Sequence, residues 1–535
     1  MSLFDYIVVG AGTAGCVVAT RLAAGGRRRV LLLEAGGTDR RFWVQLPIGY
    51  GRTFNDPRVN WMYDSEPDPT LGGRVSFWPR GKVVGGSGSI NAMVYYRGLP
   101  ADFDEWRDLG NVGWGAEDVL PIFEGFEARA NARSTPRKPT IHITDVSADV
   151  HPLCASFINS CRSLGFGPQD FNDPHGEGIG IYQITTRHGR RDSTARGYLH
   201  PALLRRHLTL VRHAQVLRIL FEERRAVGVI YQHDGRTRMG LASKGVILCA
   251  GAINSPHLLQ LSGIGDPALL ARYGIGVVVD SPAVGKNLQD HLALTYFYRS
   301  KVPTLNNVYR SFSGKVGAAL RYLATRRGPL AMSVNQAGGF IRSDRARPRP
   351  NLQLYFNPIS YTTTNLQRRV LQPDPFAAFL LSFNSCRPTS RGQVEIRSAS
   401  PFDPPGIFAN SLSTEEDMRD AIAGARLLRS IAAAAPLSQF IESEMLPGSA
   451  KQTDDELLQD FRERASTVFH PVGTCRMGPD PARAVVDASL QVYGVEGLRV
   501  IDASVFPTVT SGNTNAPTIM VAEKGAALVA AEEGN

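Results

Sequence analysis

The chain lacks any long uncharged apolar run. No stretch of about 18 apolar residues free of charge occurs in its 535 residues, so no transmembrane helix is expected. Cysteine is sparse and unclustered. Cys16, Cys154, Cys161, Cys249, Cys386 and Cys475 show neither CxxC spacing nor a zinc-like Cys/His cluster, which excludes a metal module and a disulfide scaffold. Reduced thiols in a cytoplasmic enzyme are the expectation. Met1-Ser2-Leu3 leads straight into a strand pattern, with no basic and apolar leader ahead of it, so no secretory signal is predicted. Lysine is scarce as well: of 59 basic residues only eight are Lys, against 49 acidic ones, for a net charge of +10. The arginines are scattered, with short clusters at Arg27–Arg29, Arg190–Arg191 and Arg205–Arg206. Nucleic-acid binding would concentrate them on one stripe with stacking aromatics, so no nucleic-acid partner is expected. Internal repeats and low-complexity tracts are absent too.

What is present is an ordinary globular composition, 43% hydrophobic and 20% charged, opened by a strong local signal. Phe4–Val9 is mostly apolar, Gly10-Ala-Gly12-Thr13-Ala14-Gly15 follows, then a helix-like stretch from Cys16 to Ala24. A second apolar run, Val30–Leu33, ends at Glu34. Strand, glycine turn, helix and strand make a βαβ unit. The first glycine makes the turn, the second admits a pyrophosphate and the third lets helix and strand pack closely. The helix N-terminus faces the phosphates, and Glu34 is placed to accept from a ribose hydroxyl. Ala35-Gly36-Gly37 offers no cation for a 2′-phosphate, which disfavours NADP and leaves NAD and FAD open. Cys16 opens the helix, where a thiolate is favoured; close packing is the preferred reason for a small residue there.

Leu208–Val211, Val216–Phe221, Ala226–Tyr231 and Gly245–Cys249 read as strands, with a hairpin at His233-Asp234-Gly235. From about Ala293 to Arg464 the texture changes. Leu352–Tyr355 and Phe379–Phe383 predict an antiparallel sheet, and capping boxes at Ser413/Glu416 and Thr453/Glu456 start two helices, the first stopped by Pro436. This region is read as a second domain.

A second glycine-rich loop runs Gly81-Lys-Val-Val-Gly85-Gly86-Ser87-Gly88-Ser89-Ile90-Asn91. Its glycines and short polar residues suit the close approach of a flat polar ligand. Through Asp104 it resembles the first signature of the glucose–methanol–choline oxidoreductase family. Gly251-Ala-Ile-Asn-Ser255-Pro256, continuing to Gly265, resembles the second. The resemblance covers essentially the whole chain and implies FAD rather than NAD. It also implies an α/β, Rossmann-like FAD-binding domain over 1–155, 200–292 and 465–535, with an α+β substrate domain on an antiparallel sheet over 156–199 and 293–464. Cofactor contacts are expected from Gly10, Gly12, Thr13, Ala14, Gly15, Glu34 and Ala35. Others are expected from Gly85, Gly86, Ser87, Asn91, Ala92, Met93 and Val94. Val216, Ala250, Asp502, Ala503, Asn515, Ala516 and Thr518 complete the set. Where some relatives link FAD through a histidine, this chain has Ile90, so the expectation is non-covalent FAD.

The resemblance places the chemistry in Phe469-His470-Pro471 and Gly512-Asn513-Thr514-Asn515. His470 would take the hydroxyl proton of an alcohol, and Asn515 would hold the developing alkoxide. Asp290-His291 is read as structural, and Arg191-Asp-Ser-Thr-Ala-Arg196 as domain packing. The expected reaction oxidises an uncharged primary alcohol to an aldehyde. The alternative is a redox-silent, hydroxynitrile-lyase-like reaction on the same fold. A choline-like cation would need a buried acid or an aromatic cage, for which Tyr355, Phe356, Tyr361 and Phe376 are candidates. Neither the electron acceptor, O₂, a quinone or another, nor the oligomeric state is specified.

Overall fold

The computed structural model describes residues 3–129, 141–171, 176–363 and 371–532. Two seven-stranded sheets organise them. In the first, Leu208–Val211, Val30–Leu33, Leu3–Val9 and Arg236–Leu248 lie side by side and parallel. Leu498–Val500 pairs parallel with the last of these. The strands are buried on both faces, as parallel strands require: Val30, Leu32, Val8 and Leu248 are fully enclosed. Arg236–Leu248 also pairs antiparallel with Arg225–His233, which in turn pairs with Ala214–Glu222. The hairpin between them turns at Asp234 (φ 50°) and Gly235 (φ 71°), the pair of positive φ values that a two-residue turn demands. The helix Thr13–Leu22 packs on Asn515–Glu532, so chain start and chain end share one layer.

The second sheet is antiparallel throughout. Its order is Ile441–Leu446, Leu292–Ser300, Ala378–Ser385, Leu352–Asn357, Ala337–Ile341, Gly178–Ile181. Ser466–Thr467, from the segment expected in the cofactor unit, also pairs with Leu292–Ser300. The two-residue period of a strand decides what each face does. Leu294, Leu352, Leu354, Phe356, Leu381 and Phe383 enter a core beneath the helix Glu415–Ala433. Their alternates Thr295, Tyr355 and Ser382 line a cavity on the opposite face. The helix lies so close that a Cβ on Gly424 would stand 2.0 Å from the Phe383 ring.

The box at Thr453/Glu456 caps its helix as read, Thr453 accepting from the Glu456 amide. The other cap falls one residue on. Thr414 accepts from the Asp417 amide, because the Ser413 hydroxyl donates to Ser390 Oγ instead.

Candidate active site

A cavity of about 1950 Å³ runs from the first glycine turn to the antiparallel sheet. At the turn end, backbone contacts leave no room for side chains. A Cβ on Gly15 would lie 1.8 Å from the Gly10 carbonyl oxygen, and one on Gly86 would lie 2.7 Å from Gly12 Cα. Gly10 (φ 95°) and Gly86 (φ 55°) both take left-handed backbone, which only glycine adopts freely. The two glycine-rich loops therefore press against each other and leave a cradle of bare backbone at the start of Thr13–Leu22. Glu34 closes its far side. Oε2 accepts from the Ala11 amide (2.9 Å) and Oε1 from the Gly36 amide (2.7 Å). Burial raises its pKa to about 7. Two amides occupy only part of a carboxylate's acceptor capacity, so Glu34 retains lone pairs for ribose hydroxyls. These residues fit a dinucleotide.

Most of the sequence-predicted cofactor residues line this cavity: Gly10, Gly12, Thr13, Ala14, Glu34, Ala35, Gly86, Ser87, Asn91, Ala92, Met93, Val94, Val216, Ala250, Asp502, Ala503, Asn515 and Thr518. Three do not. Gly15 is spent on helix–strand packing. Gly85 donates its amide to the Ala11 carbonyl (2.7 Å) and ties the loops together. Ala516 is buried in the first turn of the last helix. Asp502 is a joint as well as a wall: Oδ2 accepts from the Gly251 amide (2.8 Å) and the Ser255 hydroxyl (2.6 Å), Oδ1 from the Ser504 amide (2.8 Å). Arg191 is more than domain packing. It is fully enclosed, donates to Asn91 Oδ1 (2.7 Å) and the Val44 carbonyl (3.0 Å), and thereby holds the second loop. Burial lowers its pKa to about 9. Cys16 is enclosed and its thiol is pushed up by desolvation, so it stays protonated and packs. Ile90, at the position of a linking histidine, is a buried wall residue without a nucleophile.

The polar centre of the cavity is built around His470. Its amide donates to Asp290 Oδ1 (2.7 Å), and Thr467 donates to the other carboxylate oxygen. Arg80 Nη2 donates to the Phe469 carbonyl (2.7 Å), pinning a non-glycine residue at φ 71°. Such a strained turn persists only when its surroundings over-determine it. The ring is fixed at both nitrogens. His470 Nδ1 lies 2.9 Å from His291 Nδ1, and His291 Nε2 lies 2.9 Å from the Cys386 carbonyl oxygen. Burial lowers the His291 pKa to about 4, so that ring is neutral. A carbonyl can only accept, so His291 carries its proton on Nε2 and offers a bare Nδ1. His470 must then carry its own proton on Nδ1 and leave Nε2 bare. Asn513 Nδ2 donates to that Nε2 at 3.0 Å. Burial, His291 and Arg80 all hold the His470 pKa well below the ordinary imidazole value. The arrangement is a neutral imidazole at the cavity wall whose unprotonated Nε2 accepts from an amide donor.

The contacts differ from the sequence expectation at two points. Asn515 does not meet His470; its Oδ1 accepts from the Thr13 hydroxyl (2.9 Å), on the cofactor side. The last helix begins at Asn515, so Asn515 points along the helix start while Asn513 stands in the turn before it. His291, read as structural, contacts His470 directly. The signals were there: two asparagines two residues apart, and a second histidine beside an acid, but spacing alone could not choose between them. Of the candidate aromatics, Tyr355 and Tyr361 line the cavity. Phe356 belongs to the core and Phe376 lies under Arg299.

Fold and site together define a dinucleotide-binding enzyme with a buried, neutral histidine on its cavity wall. The GMC oxidoreductase family model matches residues 4–293 in its N-terminal part and 388–522 in its C-terminal part; the chain belongs to the GMC oxidoreductase family. It is 42% identical to an alcohol dehydrogenase [acceptor] of Pseudomonas putida, over 98% of this chain and 96% of that one. It is 41% identical to a mitochondrial choline dehydrogenase of Mus musculus, over 98% and 89%. Among solved structures it is similar to a formate oxidase of Aspergillus oryzae studied for FAD modification (TM-score 0.92, 26% identity, 100% and 99% covered). Pyridoxine 4-oxidase from Mesorbium loti is another (TM-score 0.88, 28%, 98% and 98%).

Proposed function

We propose that this protein oxidises an uncharged primary alcohol to its aldehyde, using FAD held without a covalent bond. The observation that carries the reading is the unprotonated His470 Nε2, which accepts from the Asn513 amide at the wall of the cavity that the dinucleotide cradle opens into; a substrate oxygen that enters between the two takes over the Asn513 bond and frees Nε2 to accept. FAD supplies the hydride acceptor, its N5. The residues do the rest. The substrate hydroxyl donates to His470 Nε2, which takes the proton as general base. Asn513 Nδ2 donates to the same oxygen as negative charge develops on it. His291 holds the Nδ1 proton of His470 throughout, so the basic nitrogen always faces the alcohol. The relatives reported above are dehydrogenases and oxidases, which favours oxidation over the lyase alternative.

An uncharged substrate is supported by where the acids lie. Glu34 and Asp502 sit at the cofactor end, and Asp403 lies beside Pro401, to whose carbonyl Gln215 donates, next to Val216. No carboxylate lines the His470 end among the described residues, while Arg52, Arg80, Arg310 and Lys315 do line the cavity. Asp290, behind His470, is enclosed and engaged by Thr467, the His470 amide and the Arg80 charge, so a quaternary ammonium would find no counter-charge on the cavity wall, despite the likeness to choline dehydrogenase. The reading includes the division into a discontinuous cofactor unit (1–155, 200–292, 465–535) and a substrate unit (156–199, 293–464), supported by the two sheets. It includes the cytoplasm as compartment, supported by six buried, unpaired thiols. No helix among the described residues is long and apolar enough to cross a membrane.

The test is anaerobic. The yellow holoenzyme should be bleached by uncharged primary alcohols and not by choline at equal concentration. Acid precipitation should then leave the colour in the supernatant. An enzyme that turns over cyanohydrins while alcohols leave its flavin oxidised would be a lyase, and colour retained in the pellet would mean a covalent link.

A further inference from the structure

The helix Phe312–Thr325 carries its large apolar residues outward. Phe312 is 84% exposed, Val316 40%, Leu320 62% and Leu323 64%. At about 100° per residue these four fall within an arc of roughly 80°, opposite the buried Ala318 and Tyr322. Single exposed apolar residues are ordinary; an aligned stripe of four is not. The stripe does not stand alone. Leu46 and Ile48, just after the short helix Phe42–Gln45, pack with Tyr322 and Leu330. On that neighbouring helix Phe42 is 68% and Trp43 41% exposed. Charge around the stripe is mainly positive: from Leu305 to Leu330 the chain has no Asp or Glu, but has Arg310, Lys315, Arg321, Arg326 and Arg327; Asp149, from another segment, pairs with both Arg321 and Arg327, and the balance stays positive. The cavity that holds His470 reaches this face, where Trp43, Arg52, Arg310 and Lys315 line it.

We propose that this face docks on the surface of an anionic phospholipid bilayer, with the stripe at the boundary of headgroups and acyl chains. An amphipathic helix with apolar residues on one side and basic residues at its flanks binds such an interface through buried area and headgroup attraction together. A second copy of the chain is a poorer occupant. A two-fold contact would set each basic flank against its own copy, with only Asp149, already shared between Arg321 and Arg327, to offset it. Docked this way, the cavity mouth opens toward the bilayer, and alcohols that partition into lipid reach His470 without crossing bulk water. That delivery rests on the proposed alcohol oxidation; the docking does not, and it is tested by lipid binding alone.

Holoenzyme is sedimented with vesicles of phosphatidylglycerol and phosphatidylcholine, or of phosphatidylcholine alone. Flavin absorbance reports both the protein and its folded state. Binding is expected to the anionic vesicles, at least about tenfold weaker to the neutral ones, and reduced by salt. The double variant L320S/L323S should retain its flavin and bind at least about tenfold more weakly. Because all six native cysteines are buried, Phe312→Cys can be labelled with an environment-sensitive dye, whose emission should shift to the blue on anionic vesicles. Absence of both sedimentation and shift overturns the proposal, as does equal binding by the double variant. So does a lipid-free dimer that L320S/L323S dissolves, which would make the stripe an interface between copies.

Discussion

At the residue scale the site depends on two histidines that share one hydrogen bond. The Cys386 carbonyl fixes the tautomer of His291, and His291 fixes that of His470. Replacing His291 with Ala leaves a buried Nδ1–H unpaired, at a cost of about 1–3 kcal/mol. Flavin reduction should therefore slow roughly tenfold to a hundredfold, and His291→Gln, which keeps an acceptor, should recover part of it. A merely structural role for His291 would lower stability and leave the reduction rate and its pH profile as they are. That profile has a stated direction. Because the His470 pKa is held well below 6.5, the imidazole is neutral across the physiological range. Its activity should be flat there and fall only at pH well under 6.5. An acid limb centred at or above 6.5 would show that the ring is not desolvated as described.

Glu34 titrates the other way. Burial raises its pKa in the free protein to about 7, and ribose hydroxyls favour the carboxylate by donating to it. On the proposed Glu34–ribose contact, binding of FAD should release a proton below that pH. Affinity is full above about pH 7 and falls as pH drops through that value, by at most about tenfold per unit. Glu34→Ala should weaken FAD by about 1.5–3 kcal/mol, or tenfold to a hundredfold. Titrations of apoprotein with FAD at several pH values measure both effects. Affinity unchanged in Glu34→Ala would remove Glu34 from the ribose site.

At the scale of elements, the cofactor cradle is a packing problem before it is a chemical one. Gly15→Ala places a methyl 1.8 Å from the Gly10 carbonyl oxygen. Helix and strand must then separate, at about 1–3 kcal/mol by analogy with overpacked cores, and the protein should purify without flavin. Gly25→Ala, at the end of the same helical stretch, meets nothing within 4 Å and should purify yellow. If both variants retain flavin equally, the cradle is looser than its backbone contacts imply.

Much of this layer was legible in the sequence, because strands and glycine turns write themselves in local periodicity. Leu208–Val211 and Val30–Leu33 coincide with the observed strands, and the His233-Asp234-Gly235 hairpin turns where its residues require. What was not legible was set by contacts distant in the chain. Asn513 rather than Asn515 meets His470 because the last helix starts at Asn515. Ser413 loses the cap to Thr414 because Ser390, from another segment, takes its hydroxyl.

At the scale of the whole molecule, the two sheets divide the work. The parallel strands present the dinucleotide cradle, and the antiparallel sheet turns its polar alternates Thr295, Tyr355 and Ser382 toward the same cavity. His470 and Asn513 come from turns near the chain end, His291 from the junction of the two sheets. No single segment holds the site, so only the assembled fold makes it. The central claim is that His470 takes the alcohol proton while Asn513 holds the oxygen. Its most direct test is the rate of flavin reduction by a primary alcohol, followed by stopped flow without oxygen. His470→Ala should lose roughly 10²–10⁴-fold and Asn513→Ala roughly 10²–10³-fold, both with flavin bound. The double variant should lose less than the product, because both groups act on one oxygen. Asn515→Ala, on the cofactor side, should weaken FAD and leave the reduction rate within a few-fold of the wild type. A His470→Ala enzyme that reduces its flavin at the wild-type rate, or an Asn515→Ala loss equal to that of Asn513→Ala, would contradict the account.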